Sequence, residues 1–215
     1  WRGADADVAE AVDCCRYYAI QGAELFEAKL TQKVSGEINH LVHAPKGVGL
    51  VIAPWNFPLA ILTGMATASL VTGNTTLIKP AEQSPVIAAL LAQGLTEVGF
   101  PKDSFRLVPG VGEEIGPALV QDERVDVIVF TGSASVGLSI IETAAKKPSF
   151  QQRGVKKVIC EMGGKNAVIV DEDADLDEAV MGCIHSAFGF QGQKCSALSR
   201  LFVHENIFDS FVHRF

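Results

Sequence analysis

Apolar residues recur three and four positions apart through residues 5 to 30, at Val8, Val12, Cys15, Ala19 and Phe26, with acidic residues on the opposite side. This period predicts one long amphipathic helix. From residue 47 the pattern changes to short apolar runs separated by helical stretches. VGLVIA (48–53) predicts a buried strand, and LAILTGMATASLVTG predicts a helix stopped by Gly73, since glycine is the usual residue just past a helix end. TTLIK (75–79) is the next strand. Ser84-Pro85 places an N-cap residue before a proline at the first helical position, so a helix is expected there, closed by Gly99 and Pro101. FRLV, DVIVF, KKVICE and NAVIV continue the series of strands, with helices near 113–121, 133–146 and 175–187. Near-continuous Val/Ile runs alternating with helices predict an α/β fold with a doubly wound parallel sheet. The polar segment AKKPSFQQRG (145–154) reads as a surface connection, and MGGK (162–165) as a second boundary.

Composition narrows the function. The 215 residues, 48% of them hydrophobic, are enough for one sizeable core. Lysine and arginine number 18 against 25 acids, a net charge of −7, so no basic excess points to nucleic acid or to an anionic membrane. The longest apolar runs fall far short of the roughly 20 residues a membrane span needs, and no basic-then-apolar leader opens the chain. A soluble protein is expected. Five cysteines (Cys14, Cys15, Cys160, Cys183 and Cys195) include no CxxC pair and no cluster at zinc spacing. Disulfides and structural metal are therefore not expected, which suits a reducing compartment.

Several positions could carry chemistry. PWNFP (54–58) follows the strand VGLVIA directly, and its two prolines hold Asn56 in a stiff turn at a strand's carboxyl end, where α/β proteins place ligands. Its amide could donate to an oxyanion, or it could cap its own backbone. Lys79 ends the next strand with Glu82 three residues on; the pair could bind ribose hydroxyls, with the carboxylate favouring NAD over NADP, or form a solvated ion pair. In VFTGSASVG, Gly132 and Ser133 lie where the N–H groups of a helix start can receive phosphate. GVGEEIG (110–116) resembles a glycine fingerprint less well, because two acids sit at its helix start. Glu161 ends an apolar strand, where desolvation would make it a useful general base, or it could pair with Lys165. Cys195, in GFQGQKCSALSR, could be a structural thiol, a ligand or a nucleophile, and only an ionised thiol in a donor-rich setting would be reactive.

The succession PWNFP, KPAEQSP, FTGSxxVG, EMGGKN and GQKC resembles the aldehyde dehydrogenase superfamily along nearly the whole chain. That resemblance implies Cys195 as nucleophile, Glu161 as general base, and Asn56 with the Cys195 backbone N–H as oxyanion hole. It also implies that Lys79 and Glu82 hold the adenosine ribose of NAD, that Gly132, Ser133 and the helix start hold the pyrophosphate, and that Pro54 and Trp55 line the cofactor site. No metal is implied. CRYYA, VKKVICEMGGKNAVIVDEDADLDEAV and SAFGFQGQKCSALSR are similar to the Δ1-pyrroline-5-carboxylate dehydrogenase branch, which oxidises glutamate-γ-semialdehyde to glutamate. In that branch the serine after the nucleophile binds substrate carboxylate and the aromatic after the oxyanion asparagine packs on the aliphatic chain, positions held here by Ser196 and Phe57. The resemblance further implies a partial NAD-binding domain over 1–163, with a bridging or oligomerisation segment near 23–45, and the start of a catalytic domain over 164–215. It implies a small-molecule aldehyde substrate and a homo-oligomeric parent about twice this length. A bacterial member would work in the cytoplasm and a eukaryotic one in the mitochondrial matrix. Alternatives are a dehydrogenase for another semialdehyde, the dehydrogenase part of a bifunctional proline-utilisation protein, a coenzyme A-acylating relative, and a non-catalytic NAD-binding relative.

Overall fold

The computed structural model of the protein describes residues 1–146, 152 and 154–215, so most of the connection expected at 145–154 lies outside the described residues. Two units are present, Trp1–Glu161 and Met162–Phe215. The first opens with α1 (Arg2–Phe26) and a hairpin of β1 (Lys29–Gln32) and β2 (Asn39–Leu41). Strands and helices then alternate through β3 (Val48–Ile52), α2 (Ala60–Val71), β4 (Thr75–Lys79), α3 (Pro85–Glu97), β5 (Phe105–Leu107), α4 (Gly112–Gln121), β6 (Val125–Gly132), α5 (Ala134–Ala144) and β7 (Lys157–Met162). In the second unit follow β8 (Asn166–Val170), α6 (Leu176–Phe188), β9 (Leu198–Val203) and α7 (Phe208–Arg214).

The doubly wound parallel sheet expected from the Val/Ile runs is present, in the order β5-β4-β3-β6-β7. β3 pairs in parallel with β4 on one side and β6 on the other, Leu50 facing Leu77 and Ile128. The chain winds outward from β3 to β5, then returns past β3 to β6. The carboxyl ends of β3 and β6 therefore adjoin at the point where the winding reverses, the place at which such sheets open a crevice for ligands. Gly49, Leu50 and Val51 are buried in succession, as a strand covered on both faces requires. β8 departs from the expected series. It pairs in parallel with β9 through the crossover helix α6, in a separate two-stranded sheet whose unit is filled by Val170, Val180, Cys183, Leu198 and Phe211.

The first helix corrects the sequence reading twice. It stops at Phe26, and Lys29–Gln32 is a strand instead of its last turn. Its buried face is also a different one, since Val8, Val12 and Phe26 are exposed and so are Cys15 and Ala19, while Ala11 and Gly22 are buried and Cys14 and Tyr18 half-buried. The reason is the closeness of α2. A Cβ on Gly22 would stand 2.7 Å from Val71 Cγ2, and one on Gly64 would stand 3.2 Å from Cys14 Sγ. Small size, not apolar character, selects the face. Asp7 shares it, and its carboxylate accepts hydrogen bonds from Leu59 N (3.1 Å) and Ala60 N (3.0 Å), capping the start of α2.

α3 begins at Pro85 as expected, but Ser84 does not cap it through its side chain. Its hydroxyl is buried without a hydrogen-bond partner among the described residues, so the proline geometry alone marks the start. At the far end of α4, Lys156 Nζ donates to Val120 O (2.8 Å) and Asp122 O (2.6 Å), satisfying carbonyls that the helix leaves unpaired. Asp122 itself accepts from Arg124 N and Nε, both at 2.9 Å, and from Nη2 at 2.6 Å. Those Arg124 contacts lower its pKa from 3.8 to about 2. Among the described residues no helix is long and apolar enough to cross a membrane.

Two outcomes follow from this packing. A Cβ at Gly49 would lie 2.5 Å from Ser69 Oγ, which shares a buried 2.7 Å hydrogen bond with Thr76 Oγ1. Gly49→Ala is expected to break that bond and destabilise the chain by about 2 kcal/mol in urea unfolding; an unchanged midpoint would contradict the close fit. Because Asp122 has its pKa depressed in the folded state, its stabilising effect is complete above the unfolded value of 3.8 and is lost as pH falls toward about 2. The stability gap between wild type and Asp122→Asn should therefore be constant above pH 3.8 and close through that window, whereas a gap independent of pH would remove the ion pair as its cause.

Candidate active site

The switch point is lined by the turn after β3 and the end of β6. Ala53 N donates to Lys79 O (3.1 Å), so sheet pairing continues one residue beyond β3 before the chain leaves as Pro54–Pro58. Asn56 is half-buried and its Oδ1 accepts from Phe57 N (3.2 Å), which turns the NH₂ end of the amide away from that contact. The self-capping foreseen from sequence thus fixes the amide's orientation. Asp7 grips the following residues, so the turn is held on both sides. Pro54 and Phe57 are half-buried and Trp55 is exposed. On the neighbouring strand Gly132 passes so close to Phe130 that a Cβ would meet its ring tip at 2.5 Å. Ser133 then N-caps the eleven-residue α5, its Oγ accepting from Val136 N at 3.4 Å.

At the end of β4, Lys79 is buried, with 4% of its side chain exposed against 40% for Glu82. Its Nζ donates to Glu82 Oε2 at 3.1 Å. This is a sheltered cation beside a half-open carboxylate, not a solvated loop pair. The backbone N–H of Glu82 itself, then Lys79, holds the Glu82 carboxyl below the ordinary carboxylate range. Gly112 approaches both groups, since a Cβ there would be 3.5 Å from Lys79 Nζ and 3.7 Å from Glu82 Oε2. The segment GVGEEIG, weighed from sequence as a phosphate loop, therefore runs beside the Lys79–Glu82 pair.

Glu161 is the next-to-last residue of β7. Its neighbour Cys160 points toward α5, with Sγ 3.7 Å from Gly137 O, so alternation along the strand turns Glu161 to the opposite face. Glu161 is exposed there, which corrects the expectation of a desolvated acid. An apolar strand sequence buries a residue only where another layer covers that face.

In the second unit, α6 is followed by one 3-10 turn, Gly189–Gly192, in which Phe190 (φ 54°), Gln191 (φ 58°) and Gly192 (φ 69°) all adopt left-handed backbone. Two successive non-glycine residues in this region are uncommon and strained. Cys195 and Ser196 lie in the next turn, closed by Ala197 N donating to Lys194 O at 3.2 Å, and both are exposed. Asn166, at the start of β8, reaches this turn with Nδ2, which donates to Cys195 O (2.6 Å) and to Ala197 O (3.2 Å). Sequence reasoning gave Asn166 no role, because a side-chain contact across 29 residues leaves no trace in periodicity. Among the five free cysteines only Cys15 and Cys195 are exposed; burial pushes the Cys14, Cys15, Cys160 and Cys183 thiols up.

The first unit is an α/β sheet with a reversal of winding, the second presents an exposed thiol in a pinned turn, and the chain that carries both belongs to the aldehyde dehydrogenase family. The aldehyde dehydrogenase family model matches residues 1–215. The 1-pyrroline-5-carboxylate dehydrogenase of Bacillus pumilus is 50% identical over 214 residues, and that of Geobacillus thermodenitrificans 48% identical over 215. In each case the match takes in 100% of this chain and 41% of the relative, so the chain spans about two fifths of the curated relatives' length. Among solved structures, 1-pyrroline-5-carboxylate dehydrogenase from Thermus with bound NAD superposes with a TM-score of 0.95 at 45% identity, over 100% of this chain and 42% of that one. Proline utilization A from Bdellovibrio bacteriovorus, inactivated by N-propargylglycine, gives a TM-score of 0.96 at 52% identity, over 100% of this chain and 22% of that one.

The thiol environments predict an order of reaction. Iodoacetamide at neutral pH should label Cys195 and Cys15 at least tenfold faster, roughly, than buried Cys183, read by mass spectrometry of the chain. Equal rates at all three would contradict the described burial.

Proposed function

We propose that the protein represented by this chain oxidises L-glutamate-γ-semialdehyde, the open form of Δ1-pyrroline-5-carboxylate, to L-glutamate with NAD. The observation that carries this reading is Cys195, an exposed thiol in a backbone-clamped turn, in a chain about half identical to 1-pyrroline-5-carboxylate dehydrogenases along its full length. Residues 1–163 form part of the NAD-binding domain and 164–215 begin the catalytic domain. The segment 23–45 serves assembly of the parent homo-oligomer; its hairpin leaves Leu30, Ile38 and Leu41 exposed.

The residues fit a dinucleotide. Glu82, kept anionic by its own N–H and by Lys79, offers acceptors to ribose hydroxyls and would repel a 2′-phosphate. Gly112 leaves the backbone open beside that pair. The start of α5 at Ser133, behind Gly132, presents backbone N–H groups to a pyrophosphate at the switch point. Pro54 and Trp55 line the same crevice. When bound, NAD supplies the acceptor for the hydride that leaves the substrate carbon with its electron pair.

The chain's own groups perform the remaining steps. The Cys195 thiolate attacks the aldehyde carbon, forming a C–S bond, while the carbonyl oxygen becomes an oxyanion. Asn56 and the backbone N–H of Cys195 are the donors assigned to that oxyanion. Loss of hydride re-forms the C=O bond and leaves a thioester on Cys195. Glu161 then takes a proton from water, whose oxygen displaces the thiolate and releases the carboxylic acid. Ser196 and Phe57 hold the distal carboxylate and the aliphatic chain of the substrate. The proline utilization A likeness favours a second reading, in which the same dehydrogenase is one part of a bifunctional chain.

In the full-length parent, Cys195→Ser is expected to lower kcat by at least about 10³-fold with NAD affinity within about twofold of wild type. Loss of NAD binding along with turnover would make Cys195 a structural residue and remove the reading.

A further inference from the structure

We propose that Asn166 is a positioning residue for the Cys195 thiol, its amide fixing the turn from which the thiol projects. The inference rests on the reading of Cys195 as nucleophile. Four features of the second unit support it. Both hydrogens of Asn166 Nδ2 are used on the same short segment, one at Cys195 O (2.6 Å) and one at Ala197 O (3.2 Å), so the amide brackets Cys195 and Ser196 from one side. Pairing between β8 and β9 shifts register between Asn166 and Ala167, and such an irregularity re-aims a side chain that a regular ladder would direct elsewhere. Gly164 leaves room for the amide, since a Cβ there would stand 3.3 Å from Asn166 Oδ1. The segment that leads into the turn contains Phe190 (φ 54°) and Gln191 (φ 58°), two successive non-glycine residues in strained left-handed backbone, so a tie just after them has a strained approach to hold against.

A positioning role differs from a folding role here. The core of the unit is made by Val170, Val180, Cys183, Leu198 and Phe211, whereas Asn166 is exposed and contributes nothing to it. A second tie between the same segments, Arg200 Nε donating to Lys165 O at 2.9 Å, holds the strands together without touching the cysteine turn. Removing the Asn166 amide should therefore free the turn while the sheet stays paired. Misplacing a nucleophile by about 1 Å costs on the order of 10²-fold in rate.

The test uses the full-length parent enzyme with glutamate-γ-semialdehyde and NAD. Asn166→Asp keeps the side chain's size and removes both donors; Asn166→Ala removes the group. Both are expected to lower kcat and the pre-steady-state rate of NADH formation together by about 10- to 100-fold. NAD affinity should stay within about twofold and Tm within about 3 °C, while Arg200→Ala should keep the wild-type pre-steady-state rate. If the Asp and Ala variants do not fold, Asn166→Ser is read by the same rates and affinity. Wild-type rates in a folded Asn166 variant overturn the inference, and so does a rate loss matched by an equal loss of NAD affinity or folded protein. Cys195→Ala separates the premise from the inference: if it still turns over, the nucleophile reading fails and the inference with it. If it is inactive while Asn166→Asp is normal, only the positioning role is rejected.

Discussion

The pairing of β3 with strands on both sides is the constraint on which the rest of the first unit depends. Flanked by β4 and β6 and covered on both faces, it admits no side chain larger than hydrogen at Gly49, where the Ser69–Thr76 hydrogen bond joins α2 to β4. Its entry is fixed as well, by Asn74 Oδ1 accepting from Gly47 N (3.0 Å) and Asp126 Oδ2 accepting from Val48 N (2.8 Å). With β3 fixed, α2 lies close against the sheet, α1 lies close against α2 through Gly22 and Gly64, and Asp7 arrives at the first turn of α2. The turn carrying Asn56 is thus the outcome of a chain of close contacts, each possible because a small residue is present.

The chemical groups follow a common pattern. Each is held through backbone or through a short polar contact. Asn56 is oriented by the N–H of the next residue, Ser133 by the helix it caps, Glu82 by its own N–H and buried Lys79, and Cys195 by an amide that grips its carbonyl and leaves the thiol exposed. The thiols packed as small hydrophobes contrast with this. Cys183 lies in a core and Cys160 faces a helix, where burial disfavours the ionised form that reactivity requires.

Much of this was legible in the sequence because it rests on local pattern. TTLIK is β4 to the residue, Gly73 has the positive φ (79°) that ends α2, and the Ser84-Pro85 start of α3 is where proline geometry puts it. The order of the site motifs identified the family. What escaped depends on partners distant in sequence. Hydrophobic period selected Val8 and Val12 on α1, but the neighbour it must approach is so close that Ala11 and Gly22 face inward instead. Glu161 follows apolar residues yet is exposed, because the covering of a strand face is decided by other layers. Asn166 stood inside a recognised motif, but its contact with Cys195 depends on a register shift that no periodicity encodes.

The central claim is that the full-length parent of this chain oxidises one particular semialdehyde with NAD through Cys195. Its most direct test is NADH formation by the full-length parent with glutamate-γ-semialdehyde, succinate semialdehyde and acetaldehyde side by side, each with NAD and with NADP. The account predicts the highest kcat/KM for glutamate-γ-semialdehyde with NAD, at least about tenfold above that for acetaldehyde, since a site built to pair a substrate carboxylate leaves its polar groups unpaired with acetaldehyde. Equal or better turnover of the other aldehydes, or a preference for NADP, would contradict it.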